Sequence, residues 1–276
     1  KIHPLPEKQQ YHMYFFKSFS DAELACKEIV QTGAKLAMLR VSDEHETEAM
    51  LSMSRRHDGL LTSLLSSIIK LLLKFNGFNS SFCSIMVGHE GNSSKICRER
   101  QLVKKMFRPY THLSLGTAAG SKWLQDRFFL PYLRDEVIDS GVLIDTLETS
   151  TTWENLQIVY QKVGQAITQS LSSVAPHIKV YCHISHMYPD GASLYFSILA
   201  RQDKKDPLGQ WQRMKGQVNA TIKAAKASCS HHHGVGIDHI AGNYWQQNEK
   251  ALMQSEKLGE ASRMSVVWRC NPSPIW

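Results

Sequence analysis

The chain has 276 residues, 42% of them apolar and 21% charged, which is typical of a folded globular protein with one large or two modest domains. Its six cysteines are scattered without a CxxC pair, which argues against a disulfide framework or a structural zinc site and favours a reducing compartment. The formal charge of +7 favours a phosphate ligand or an anionic membrane surface. We do not expect nucleic acid, because the basic residues are dispersed and are not interleaved with aromatic ones.

Hydrophobic periodicity predicts strands and helices in alternation along the chain. The predicted strands cover residues 11–17, 35–41, 82–87, 111–115, 142–150, 179–186 and 192–200. The predicted helices run from a Ser20/Glu23 capping box to Gly33, over 93–107, onward from a Thr151/Glu154 capping box, and through a segment from Leu208 to Ile222. Segments 60–74 and 122–139 are predicted as helical insertions.

This order of elements predicts an α+β fold in which an antiparallel sheet carries helices on one face. Residues 1–227 form the predicted main domain, and 228–276 hold a histidine-rich segment and an amphipathic tail helix. The apolar run at 60–73 is too short to cross a bilayer, which needs about 20 residues. Because residues 1–6 show neither an initiator methionine nor a signal segment, we expect a fragment of a longer polypeptide.

The most distinctive local feature is the string SHHHGVG, which contains His231, His232 and His233. Three adjacent histidines cannot all face a core, and the glycines after them permit close approach of a ligand. Both a functional site and a plain surface loop remain open. We predict no metal, since neighbouring side chains diverge and metal ligands on one element favour convergent spacings.

Tyr195 lies in a predicted strand whose alternate residues are apolar. Strand side chains alternate between faces, so Tyr195 is expected opposite the apolar set, on a more polar face. An ordinary half-buried sheet tyrosine is the alternative.

Two arginines are further candidates. Arg40 follows apolar residues in a predicted strand, and if buried it needs an anion or an ion-pair partner. Arg134 follows Pro131 in a helical segment, and it is either a ligand-binding residue or a solvated arginine paired with Asp135.

Several strings together resemble the alkyl-dihydroxyacetone-phosphate synthases, members of the FAD-linked oxidase superfamily that includes vanillyl-alcohol oxidase. The strings are KIHPLPE, LRVSD, PYLRD, GVLIDTLETSTTW, MYPDGASLYF and SHHHGVG, and they span nearly the whole chain. The resemblance implies that 1–227 is a substrate-binding cap domain and that 228–276 pack on an FAD domain outside this chain. The last residues, 266–276, depart from the family pattern.

The resemblance also implies roles for individual residues. Tyr195 matches the catalytic tyrosine, Arg40 an arginine of the active-site wall, and Arg134 the arginine that binds the substrate phosphate. The histidine loop matches residues needed for activity, with cofactor contacts implied for His232, His233 and Gly234.

The implied activity is a transferase reaction of ether lipid biosynthesis, in which a fatty alcohol replaces the acyl group of acyl-dihydroxyacetone phosphate. FAD would be bound mainly by the N-terminal domain, so this chain alone is expected to be colourless and inactive. Peripheral membrane contact, a peroxisomal or glycosomal location and a homodimer are further expectations. The alternatives are an FAD-linked hydroxy-acid or phenol dehydrogenase and a non-catalytic scaffold module.

Overall fold

The computed structural model describes residues 5–54, 73, 75–78, 81–126 and 133–231. The strands are β1 Lys8–Phe16, β2 Met38–Ser42, β3 Cys83–Gly91, β4 His112–Ser114, β5 Val142–Thr152, β6 Ile178–Met187 and β7 Gly191–Arg201. The helices are α1 Phe19–Gln31, α2 Glu44–Ser54, α3 Ser93–Phe107, α4 Ala118–Asp126, α5 Leu133–Asp139, α6 Trp153–Leu171 and α7 Pro207–Ala224.

The seven strands form one sheet in the order β4-β1-β3-β2-β6-β7-β5, and every neighbouring pair is antiparallel. The predicted hairpin is confirmed as β6 and β7, joined through the turn at 188–190. The predicted α+β class with an antiparallel sheet is therefore confirmed.

The main core lies between one face of this sheet and the four longest helices, α1, α3, α6 and α7. In α6, residues at helical spacing are fully buried in that core: Leu156, Val159, Val163 and Ile167. Alternate residues of β7 reach the same core from the sheet: Ala192, Leu194, Phe196 and Ile198. The periodicity of both elements thus predicted their buried faces correctly.

The opposite face of the sheet carries a smaller apolar cluster at the β1 and β3 end. Met13 and Phe15 of β1 and Met86 of β3 pack there with Leu73 and Phe78. Residues of the shorter helices α2 and α4 cover this cluster: Met50, Leu51, Ala119 and Trp123. The rest of this face, over β2, β6, β7 and β5, is the part that positions the candidate site.

Both predicted capping boxes were wrong by a residue or two, whereas the predicted helix 93–107 has the bounds of α3. Helix α1 is capped by Ser18, whose Oγ accepts a hydrogen bond from the backbone N–H of Asp21 at 3.1 Å, whereas Glu23 is buried and accepts a hydrogen bond from Gln157. Thr151 cannot cap α6, because β5 stays paired with β7 through Thr152 and the helix begins only at Trp153. Pairing in the sheet decided this boundary.

Several predicted segments fall wholly or partly outside the described residues. The predicted helix at 122–139 corresponds to the end of α4 and to α5, and the residues between them are not among those described. Most of the predicted helix at 60–74 and the whole predicted tail helix also lie outside the described residues. Among the helices that are described, none combines the length and the hydropathy that a bilayer crossing requires.

Candidate active site on the polar face of the sheet

Arg40 lies in β2 and points to the polar part of the second sheet face. Its Nη2 donates a hydrogen bond to Oε1 of Glu46 in α2 at 2.9 Å, so the ion-pair partner that the sequence required is present. Arg40 Nε is buried and has no hydrogen-bond partner among the described residues. A buried donor of this kind is available to a ligand, since an unpaired one is costly.

The start of α2 places Glu46 against Arg40. Asp43 precedes this helix, and its Oδ1 accepts a hydrogen bond from the backbone N–H of Glu46 at 2.7 Å. Its Oδ2 accepts further hydrogen bonds from the backbone N–H of Cys182 at 3.0 Å and from the Tyr160 hydroxyl at 3.2 Å. Burial raises the pKa of Asp43 to about 7, although the hydrogen bonds from Glu46 and Tyr160 oppose the shift. Asp43 therefore ties α2 to β6 and α6 and fixes the position of Glu46.

His183 of β6 connects this ion pair to Tyr195. His183 Nδ1 lies 2.9 Å from Glu46 Oε1 and 3.1 Å from Arg40 Nη2, and its ring stacks on that of Tyr195 with centroids 4.8 Å apart. Burial lowers the pKa of His183, and Glu46 opposes that shift. Burial would raise the pKa of Glu46, but Arg40 and His183 hold it well below its ordinary value.

Tyr195 lies on the polar face, as strand alternation predicts. It is half-buried and stands opposite Glu148 of β5 and His183 of β6 in the register of the sheet. Two predicted site residues, Arg40 and Tyr195, are therefore brought into one cluster, with His183 between them.

A second polar group lies on the other side of Tyr195, around Glu148. Its Oε1 accepts hydrogen bonds from Ser185 Oγ at 2.7 Å and from Ser193 Oγ at 3.0 Å. Nδ1 of His231 lies 3.4 Å from the same oxygen, and Nδ1 of His186 lies 3.5 Å from it. The first histidine of the triple is thus beside Tyr195's cross-strand neighbour.

Among the described residues, Arg134 is the predicted site residue that does not join this cluster. Arg134 is exposed on α5, which packs on β5, and no hydrogen bond or ion pair joins it to the cluster within the described part of the chain. The cofactor contacts implied for His232, His233 and Gly234 lie outside the described residues.

Sequence reasoning missed Glu46, Glu148, His183 and His186. Strand alternation could have found His183, because Cys182 and Ile184 face the core and place it on the opposite face with Tyr195. Glu46 and Glu148 gave no comparable signal, since an isolated glutamate is most often a solvated residue.

A cavity of about 370 Å³ opens beside Arg40 and His183, within the size range of small-molecule sites. Its polar wall is completed by Ser185 and His186 of β6. Its other walls are mainly apolar: Ile29, Val30, Ala34, Leu36, Ala37, Met38, Leu39 and Met187. The cavity can therefore hold a ligand with a polar end and an apolar end.

The match to a family model agrees with this architecture. Residues 5–258 match the family of FAD linked oxidases, C-terminal domain. The chain belongs to this family. Members of the family work with FAD, and the resemblance noted in the sequence is therefore confirmed at the level of the family.

Curated relatives carry a more specific name. The chain is 28% identical over 242 residues to alkyldihydroxyacetonephosphate synthase of Dictyostelium discoideum, covering 87% of this chain and 39% of that protein. It is 26% identical over 277 aligned positions to the protein of the same name from Trypanosoma brucei brucei, covering 100% of this chain and 45% of that protein. The chain thus spans less than half the length of these relatives.

Solved structures share the fold. A structure of alkyldihydroxyacetonephosphate synthase superposes with a TM-score of 0.72 at 24% identity, covering 92% of this chain and 44% of the other. 4-Ethylphenol oxidase from Gulosibacter chungangensis superposes with a TM-score of 0.55 at 12% identity, covering 93% and 52% of the two chains. At these identities the likeness shows a common fold.

Proposed function

We propose that this chain is the C-terminal, substrate-binding part of a flavin-dependent alkyl-dihydroxyacetone-phosphate synthase. In this reaction a fatty alcohol replaces the acyl group of acyl-dihydroxyacetone phosphate, with no net redox change. The observation that carries the proposal is the half-buried Tyr195 on the polar face, stacked on His183, which contacts the Arg40–Glu46 pair. The names of the curated relatives support the same reaction.

Tyr195 is the proposed acid and base. The exchange requires a proton to leave and return at the reacting carbon, and a phenol within hydrogen-bond reach can take and give that proton. Arg40 supplies positive charge near the phenol, and Glu46 holds its guanidinium in place at 2.9 Å. His183 closes one side of the Tyr195 ring and restricts its orientation.

FAD is the proposed cofactor. The described residues suit contacts with its reacting ring system and not with its pyrophosphate. The chain has no two adjacent glycines and therefore no glycine-rich loop to hold a pyrophosphate, so we assign most FAD contacts to the N-terminal domain. The buried Arg40 Nε, which has no hydrogen-bond partner among the described residues, fits a polar ring edge or a substrate oxygen. When bound, FAD supplies the covalent chemistry of the exchange.

The amphiphilic cavity beside Arg40 supports a lipid-like substrate. Its polar wall suits the carbonyl end of the substrate and its apolar walls suit the start of an alkyl chain. We assign the substrate phosphate to Arg134 on the resemblance of PYLRD, since a guanidinium fork suits bidentate phosphate contact. Peripheral membrane contact, a peroxisomal or glycosomal location and a homodimer belong to the same proposal.

The test uses the full-length protein with its N-terminal domain. Acyl-dihydroxyacetone phosphate and labelled fatty alcohol should yield labelled alkyl-dihydroxyacetone phosphate, with dihydroxyacetone phosphate acting as a competing ligand. Arg134→Ala should weaken that competition by roughly ten- to a hundredfold, because a hydrogen bond to a charged group is worth about 1.5–3 kcal/mol. Arg213→Ala, which removes an exposed arginine of α7, is the matched control and should change it less than about threefold.

Other outcomes separate the alternatives. If the protein oxidises a hydroxy acid or a phenol and phosphate does not inhibit that oxidation, it is a dehydrogenase of the same family and not a synthase. No turnover of either kind by a flavin-loaded protein would favour the scaffold. The 276-residue chain alone should be colourless, and a stoichiometric flavin absorbance would contradict our assignment of the cofactor to the other domain.

A further inference from the structure

We propose that Glu148, His186 and His231 bind a divalent transition-metal ion, Zn²⁺ in the first instance. One ligand atom from each residue lies within 4.8 Å of the other two. Two imidazole nitrogens and one carboxylate oxygen are a set that Zn²⁺ takes in catalytic sites, where three protein ligands leave a fourth position open. The site consists of side chains of this chain alone, so it does not depend on the proposed function.

The distances around Glu148 favour shared ligation over direct hydrogen bonds. Its Oε1 lies 3.4 Å from His231 Nδ1 and 3.5 Å from His186 Nδ1. A charge-assisted hydrogen bond would bring these atoms to about 2.7–2.9 Å. Two ligands that each lie about 2.1 Å from a tetrahedral zinc are about 3.4 Å apart.

The same sheet face offers an internal comparison. A histidine–glutamate pair on this face, His183 with Glu46, has its two atoms at 2.9 Å, the distance of an ordinary hydrogen bond. The two pairs at Glu148 are about half an ångström longer, as expected when an ion is to lie between the ligands.

The surroundings of the three residues hold them in ligating positions. Ser185 and Ser193 both donate to Glu148 Oε1, and Ser193 is fully buried. The Tyr188 hydroxyl lies 3.1 Å from Nε2 of His231, which leaves Nδ1 on the side of Glu148. Partners of this kind orient metal ligands, and their loss typically costs 10–100-fold in affinity.

The position of the site suggests what the metal would bind. Glu148 stands opposite Tyr195 in the sheet register, and His186 also lines the cavity beside Arg40. The open coordination position would therefore accept an oxygen ligand such as a ketone oxygen next to Tyr195. This last assignment rests on the proposed function, whereas the metal site itself does not.

The prediction of no metal from the sequence concerned only the three adjacent histidines. The proposed ligands come from β5, from β6 within its register shift, and from the segment beyond α7. Only one of them, His231, belongs to the histidine triple. Folding brings together residues that are dozens of positions apart.

The experiment measures metal binding to the full, untagged chain. After equilibrium dialysis against micromolar Zn²⁺, elemental analysis should find one saturable Zn²⁺ per chain. His186→Ala should weaken binding at least tenfold, and this half-exposed residue can be removed with little risk to the fold. His177→Ala is the matched control, since His177 is an exposed histidine before β6 and should leave binding unchanged. Tyr188→Phe should weaken binding about 10–100-fold.

Co²⁺ serves as a spectroscopic probe of the ligands. It should give a tetrahedral ligand-field spectrum without a thiolate charge-transfer band, which excludes a site at an exposed cysteine such as Cys97. The proposal is overturned if the wild-type chain shows no saturable stoichiometric binding, if His186→Ala and His177→Ala bind equally well, or if the spectrum reports thiolate. None of these measurements involves turnover. The metal site can therefore be confirmed when the proposed function is contradicted, and the proposed function can be confirmed when the metal site is contradicted.

Discussion

The face of the sheet that lies opposite the main core differs between its two halves. Over β1 and β3 it is apolar and covered, with Met13 and Phe15 packed beneath α4 and residues that follow α2. Over β6, β7 and β5 it carries Glu148, His183 and Tyr195. One half serves stability, and the other holds reactive groups on a rigid support.

Helix α2 is the boundary between these halves. Its Met50 and Leu51 join the apolar cluster, whereas Glu46, one turn earlier, pairs with Arg40. The same helix therefore closes the packed half and positions charge for the polar half. This comparison predicts that substitutions in the two halves will affect different properties.

The largest effect is expected for Tyr195→Phe in the full-length enzyme. Turnover should fall by roughly 10²–10⁴-fold, because a general acid–base group contributes that much, while flavin and substrate binding persist. Tyr181→Phe is the control, since it makes the same change on the same face of the neighbouring strand β6. A loss below about tenfold for Tyr195→Phe would make Tyr195 a packing residue.

Phe15→Ala tests the packed half. Phe15 is fully buried, so its truncation should lower the free energy of unfolding by about 3–5 kcal/mol in a denaturant titration. The control Phe75→Ala removes a side chain that is 80% exposed and should cost less than about 0.5 kcal/mol. Equal losses in the free energy of unfolding for the two variants would show that Phe15 does not pack in this apolar cluster.

Glu46→Gln tests the boundary. It removes the charge partner of Arg40 and His183 at nearly constant shape and should cost about 1.5–3 kcal/mol of stability at neutral pH. Because the pKa of Glu46 is depressed in the folded protein, its contribution is present above the ordinary value of about 4.3 and is lost as the pH falls below it. The difference from wild type should therefore shrink in acid. Glu48→Gln, at an exposed position of the same helix, should show neither effect.

The smallest effect at neutral pH concerns His12 of β1. Burial, with Arg100 and His89 contributing, lowers its pKa from 6.5 to about 4. Between about pH 6.5 and 4, His12 is therefore protonated in the unfolded chain but neutral in the folded chain. Because of this difference, His12 lowers the stability of the fold as the pH falls through that range. His12→Asn should lessen this acid sensitivity in denaturant titrations at several pH values. His45→Asn, an exposed histidine, should follow wild type, and parallel curves for all three proteins would contradict the assignment.

The sequence predicted much of the fold because the periodic elements are long. Four features were predicted correctly: the buried stripe of α6, the alternation of β7, the hairpin and the antiparallel sheet. It failed at the two predicted capping boxes, where Ser18 and Thr152 are the N-cap residues instead. Capping patterns are short, and at Thr151 the pairing of β5 with β7 overrides the pattern.

The sequence by itself determined which face of each long element is buried, since spacing along one strand or helix fixes the direction of its side chains. It also supplied the resemblance that singled out Tyr195 and Arg40. Only the tertiary structure decided what surrounds them, because Glu46, His183 and Glu148 come from separate elements. Their approach depends on strand order and register, which no local pattern encodes.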